Sequence, residues 1–323
     1  MRTRTLTSIA IAAAVIAAPG ATPAQSGFPS GLITMIVSAP PRDNLASIHR
    51  ELADIAGAEL GVEIKVENKP GSGGREGVEA LIEAAPDGHT IAAVWNAPLT
   101  IAPHTGAASY TIDDIVPIMR TTAGAPLVVC VHPGFRADDS DDFVDHVEDN
   151  PGKYSYGTDG PGGIVELAGG RLFRSLGLDL KPVAFDGSAG VLRGFLGRKS
   201  DIYIGGVAGI IGQTKEGYAK CLFSTSEDPP MRFRDLDTLD DLDLEDQATH
   251  VWWALVAPRG TPPERIEVLA GAFRKAASVD QFKYFTRRRY ENVAAGTPEE
   301  LADLIKAESD AFARVVKEIG LAK

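Results

Sequence analysis

From residue 31 onward the apolar positions of this chain alternate between two periods. "LITMIVSAP" is a short run rich in apolar and β-branched residues, ended by Pro40 and Pro41, and it predicts a strand. In "NLASIHRELADIAGAEL" the residues Leu45, Ile48, Leu52, Ile55 and Leu60 fall close to one helical face, with Asn44 as the expected N-cap. "VEIKVENKPG" predicts a second strand running into a turn. "GREGVEALIEAAPDG" predicts a helix stopped by Pro86 and Gly88, and "HTIAAVW" a third strand. This β-α-β-α-β order implies a parallel sheet with right-handed crossovers.

The pattern recurs from Ala125. "PLVVCVHP" reads as a strand, "ADDSDDFVDHVEDN" as a helix, and "KYSYGTDGPGG" as a strand entering a Gly-rich turn. "IVELAGGRLFRSLG" and "AGVLRGFLGRK" are helical, while "LKPVAFDG", "SDIYIGG" and "YAKCLFSTS" are strand-like. After "VWWALVAPRGTP" come two long helical stretches, Pro263 to Ala277 and Pro298 to Ile319. The economical architecture is α/β with two lobes and a cleft between them. The expected partition is 27–124 plus 254–323 for the first lobe and 125–253 for the second. Ligands in open α/β sheets settle at the carboxyl ends of strands, and the Gly-rich turns at Gly71–Gly74 and Gly157–Gly163 both follow strands.

Composition changes the picture in three places. With 323 residues, 44% of them hydrophobic, the chain suits one large or two medium domains. Arg2 and Arg4 precede a 13-residue apolar run, Leu6 to Ala18, followed by small residues. That run is short of the roughly 20 residues that span a bilayer, so residues 1–26 read as a secretory signal peptide cleaved after Ala24 or Ser26. This places the mature chain in the periplasm. The formal net charge of −12 argues against nucleic acid and anionic lipid as partners. The acidic runs Asp138–Asp149 and Asp235–Asp246 lack the sixth-position Gly of a calcium loop and read as solvated surface. Cys130 and Cys221 both lie in apolar, strand-like segments. An exported protein could join them, but the expectation is two buried free thiols.

Nucleotide and catalytic chemistry find little support. Residues 71–77 read GSGGREG, without the Gly-Lys-Ser/Thr of a phosphate loop or the spacing of a dinucleotide turn. The glycines are better explained by a tight turn with positive φ. The six histidines are scattered without ligand-type spacing, and no Gly-x-Ser-x-Gly elbow occurs. No metal, cofactor or catalytic residue is expected, and the chain is not read as an enzyme.

The ordered motifs carry a resemblance. "VENKPGSGG" followed by "EAAPDGHTI" resembles the hallmark of the periplasmic receptors of tripartite tricarboxylate transporters, the Bug receptors. "IVPIMRTTAGAPLVVCVHP", "NPGKYSYGTDGPGG", "VAFDGSAGVLRGFLGRKSDIYI" and "WWALVAPRGTPPERIEVL" resemble further segments of that family in order. The resemblance implies a two-lobed Venus flytrap that closes on a small organic anion, usually a carboxylate, and presents it to membrane permease subunits. A monomer is expected. A sensory receptor on the same fold is a second reading, and an exported enzyme a third.

The resemblance also implies two ligand loops, following Val37 and Tyr156, whose backbone amides and helix N-termini receive the anion. On this chain they carry Ser38, Ala39, Arg42, Asp43 and Asn44 in the first, and Thr158, Gly160, Gly162, Gly163 and Glu166 in the second. Trp95 and Asn96 after the third strand, with Phe185 and Asp186, complete the expected ligand set. The family's two first-loop glycines are replaced here by Arg42 and Asp43, its Asp by Ala46, and its second-loop Ser and His by Gly163 and Glu166. Arg42 can pair with a carboxylate or bridge to Asp43. Glu166 and Asp186 either add negative charge at the cleft, suiting a ligand with a cationic or hydroxyl-rich end, or point to solvent.

Overall fold

The structure is a computed structural model describing residues 27–226, 229–230, 232–244, 247–318 and 320. The expected leader, 1–26, lies outside the described residues. The chain opens with β1 (Ile33–Val37), α1 (Asn44–Leu60), β2 (Ile64–Asn68), α2 (Arg75–Ile82) and β3 (Thr90–Trp95). β1 pairs in parallel with both β2 and β3, as the alternating order requires. A short helix α3 (Asn96–Thr100) then leads to β4 (Ile115–Arg120).

A second sheet follows. It is built from β5 (Ala125–Val131), α4 (Ser140–Glu148), β6 (Ser155–Thr158), α5 (Ile164–Ser175), β7 (Lys181–Ala184), α6 (Gly187–Leu196), β8 (Ile202–Gly206), α7 (Val207–Lys215), β9 (Lys220–Ser224) and β10 (His250–Val251). β11 (Trp253–Pro258) returns to the first sheet, and α8 (Pro263–Ser278), α9 (Asp280–Arg287) and α10 (Pro298–Glu318) end the chain. The strand orders are β2-β1-β3-β11-β4 and β10-β5-β8-β6-β7, with β9 paired to β5. Both sheets are mixed, because β11 runs antiparallel to β3 and β5 antiparallel to β8.

Side-chain alternation puts a core on each face of both sheets. In β1, Ile33, Met35 and Val37 join the cluster under α1, α8 and α9. Ile36 points the other way, into the cluster with Val78 and Leu81 of α2. The second sheet has an equivalent pair of clusters, one around Phe143, Phe173 and Phe223 and one around Phe195, Tyr203 and Ile210. α10 belongs to both halves of the molecule: Leu301 and Ile305 pack in a first-sheet cluster, and Phe312 and Val316 in a second-sheet cluster. The polypeptide passes between the sheets at Thr121–Gly124 and again at the β10–β11 junction.

Two expectations are corrected here. Cys130 and Cys221 are joined as a disulfide, not free. They face one another in the antiparallel pairing of β5 with β9, a closeness that no spacing along the chain reveals. The N-cap of α1 is Asp43 rather than Asn44: its carboxylate accepts from Leu45 N at 2.8 Å, and Asn44 is the first helical residue.

The Gly-rich turn after β2 packs the first lobe. A Cβ on Gly74 (φ +90°) would stand 2.7 Å from the Trp95 ring, and one on Gly77 would stand 2.6 Å from Ser38 Cβ. Glu76 folds back into the turn, accepting from Ser72 Oγ at 3.0 Å, so a carboxylate occupies the space a phosphate would need.

Candidate functional site

The two expected ligand loops follow the ends of β1 and β6. In the first, Ser38 is buried and donates its hydroxyl to Ala93 O at 3.1 Å. Ala39 is buried and its carbonyl accepts from Asn68 Nδ2. Arg42 is exposed. Asp43 caps α1, and Asn44 Nδ2 donates to Arg289 O at 3.1 Å, tying the loop to the end of α9.

The second loop has filled its own anion site. Asp159 Oδ1 accepts from Val165 N at 3.1 Å and Glu166 N at 3.2 Å. Glu166 Oε2 in turn accepts from Gly162 N at 3.0 Å, and Gly163 N donates to Gly160 O. The amides at the start of α5 that would greet an external carboxylate are therefore held by two carboxylates of the chain itself. Burial pushes the Asp159 carboxyl up to about 6 against the pull of its amide donors. Glu166 is also raised by burial. Glu166 thus bonds within its loop instead of pointing to solvent, whereas Asp186 is exposed at the start of α6.

The remaining expected residues serve packing and the junction between the sheets. Thr158 is buried, and its carbonyl accepts from Phe185 N at 2.9 Å. Phe185 lies in a slot between β6 and α6, where a Cβ on Gly157 or Gly190 would come within 3.3 and 3.1 Å of its atoms. Gly160 and Gly162 adopt positive φ, and Gly162 sits against Ala102 and Thr105 of the first half. Trp95 lies over Gly74. Asn96 is buried and donates to His250 O at 3.0 Å and Glu308 Oε2 at 3.4 Å, while its Oδ1 makes no hydrogen bond among the described residues. Glu308 also accepts from Trp252 Nε1 at 2.6 Å, and burial raises its carboxyl.

Sequence reasoning missed two features. One is Arg75, whose Nη1 donates to Pro161 O at 2.9 Å and so joins the first half to the second loop. The other is a cavity of about 320 Å³ beside the crossover. It is lined from the second half by Pro126, Val207 and Arg232, and from the segment after α9 by Arg287, Tyr290 and Glu291. "RRRYEN" carries the only signal that could have marked this segment, a basic run followed by an aromatic and an acid just past a helix.

Burial, with a contribution from the negative charge of Asp43, pushes the Glu291 carboxyl up to about 8. The electrostatic coupling of Asp43 to Glu291 links the first loop to this cavity. Among the described residues no helix is long and apolar enough to cross a membrane.

Comparison with known proteins agrees with this architecture. A family model described as the tripartite tricarboxylate transporter family receptor matches residues 48–321. A UPF0065 protein of Bordetella pertussis is 28% identical over 295 residues, covering 91% of each chain. A solved periplasmic transporter superposes with a TM-score of 0.83 at 27% identity, covering 91% of this chain and 99% of the other. MatC from Rhodopseudomonas palustris, solved with bound malate, has a TM-score of 0.79 at 23% identity, covering 90% of this chain and 100% of the other. The two-sheet fold, and a family match running from residue 48 within α1 to residue 321, make this protein a member of the tripartite tricarboxylate transporter receptor family.

Proposed function

We infer that this chain is an exported receptor that captures a small organic acid between its lobes and delivers it to membrane permease subunits. The observation that carries the reading is the family match across residues 48–321. The malate bound to a structural neighbour points to the same class of ligand. The cavity at the crossover has a volume in the range of small-molecule pockets, and Arg232 and Arg287 on its wall supply donors that match a carboxylate. Arg42, the exposed cation of the first loop, is a third candidate. With the start of α5 already capped by Asp159 and Glu166, side-chain cations take on the role that helix amides fill where such a loop lacks carboxylates. Lobe closure about the two crossovers then traps the ligand.

A thermal-shift screen of residues 27–323 against mono-, di- and tricarboxylates and amino and sugar acids tests this. Binding to the native state raises the midpoint by mass action. A saturable rise with at least one organic acid, diminished in Arg287→Ala or Arg42→Ala, is the expected result. Silence across all acids would overturn the reading.

A further inference from the structure

Glu291 is 8% exposed, and its Oε2 has no hydrogen-bond partner among the described residues. It lines the cavity at the crossover. Buried polar groups are nearly always paired, and an orphaned carboxyl oxygen costs stability unless something supplies a donor. The neighbouring Asp43 carboxylate does not do so: it is committed to Leu45 N and repels rather than pairs. Arg232 lies over the Tyr290 ring, 5.6 Å from its centroid.

The backbone reinforces the placement. Tyr290 is held at φ +64°, an unfavourable conformation for a residue with a Cβ. Immediately after it, Asn292 O accepts from Ala123 N at 2.8 Å, and Val293 bridges to Thr122. The segment is thereby clamped along the first crossover, with Glu291 on the cavity wall.

One cavity wall therefore offers two guanidinium groups, a hydrophobic rim of Pro126 and Val207, an aromatic ring, and a buried carboxyl whose Oε2 lacks a donor among the described residues. An acid with carboxylates alone would satisfy the arginines and leave Glu291 unpaired. We propose that the ligand of this receptor carries an ammonium group together with its carboxylate, and that Glu291, backed by Asp43, is the subsite for the cation. This rests on the receptor reading above and names the ligand class within it.

Binding then has a protonic signature. The empty site holds Glu291 protonated at neutral pH, since its carboxyl is pushed up to about 8, and the ammonium ligand ionises it. The charged and titratable groups facing it are Asp43, Arg232, Arg287, Tyr290 and His250. Of these, Asp43 opposes ionisation. A ligand that requires the ionised carboxylate loses about tenfold in affinity for each pH unit below the empty-site value.

The test is isothermal titration of residues 27–323 with matched pairs, succinate and glutarate against their 2-amino derivatives. Titrations are run at pH 6 and 7, and at pH 7 in two buffers of different ionisation enthalpy. The expected result is selective binding of an amino derivative, with close to one proton released per ligand at pH 7 and affinity about tenfold weaker at pH 6. Glu291→Gln should weaken that binding about ten- to hundredfold, the usual loss for a charge-assisted hydrogen bond, and abolish the proton release. The unmutated protein's proton count decides the matter even if the variant folds poorly. Binding of the ammonium-free acids alone, or of the amino derivatives without proton release, would overturn the inference and leave the receptor reading intact. Failure of every acid to bind would overturn both.

Discussion

Buried titratable side chains shape how stability follows pH, and they pull in opposite directions. His49 donates through one ring nitrogen to Leu45 O and meets Thr121 Oγ1 with the other at 3.0 Å. Burial lowers it to about 4. Its neutral form stabilises the fold above pH 6.5, and that contribution is lost as pH falls toward 4, amounting to about 3 kcal/mol by linkage. Asp159 and Glu291 have raised values, so each favours the fold when protonated and loses that contribution as pH rises through about 6 and about 8. Glu166 and Glu308 are raised by burial as well, so the carboxyls outweigh one imidazole, and the empty protein should grow more stable as pH falls from about 8 to about 5. Urea unfolding across that window checks the sign. His49→Gln should steepen the gain, and Asp159→Asn should flatten it below pH 6. A His49→Gln curve unchanged from wild type would remove the imidazole from the account.

At the scale of elements, strong periodicity was legible and weak periodicity was not. α1 begins and ends where Leu45, Ile48 and Leu52 line up on one face, because that face is the one the first sheet buries. α7 escaped notice for the opposite reason: it buries only Val207 and Ile210, so tertiary contact rather than pattern makes it a helix. α9 is amphipathic but only eight residues long and starts directly after α8, so sequence alone does not separate it from the longer helix before it. The cavity escaped with them, since its acidic wall is the segment just after α9.

In the second loop Asp159 and Glu166 hold the amides, an arrangement fixed only by where side chains point after folding. The Gly-rich turn is the clearest case of an element read correctly by what it lacked. Gly74→Ala places a Cβ against Trp95 and Pro98 at positive φ. It should cost about 2–3 kcal/mol in chemical denaturation. A loss under half of that would mean the turn relaxes without the Trp95 contact.

For the molecule as a whole, both the two-lobed α/β plan and the family could be read from the order of motifs, because each motif marks a strand end and the order fixes which ends meet. The covalent link between Cys130 and Cys221 could not, since partners across a sheet leave no trace in spacing. It joins residues 91 apart in sequence, and chain-entropy reasoning assigns such a loop about 4.6 kcal/mol. Unfolding with and without reductant should reveal a loss of that order. The bond joins the first strand of the second sheet to β9, so β6, β7 and β8 with α4 to α7 all lie inside a closed loop of covalent structure. A protease that cuts once within 131–220 therefore cannot release a fragment. The nicked chain should migrate as one species on a non-reducing gel and as two after reduction, so a single cut within that loop leaves the receptor one covalent body.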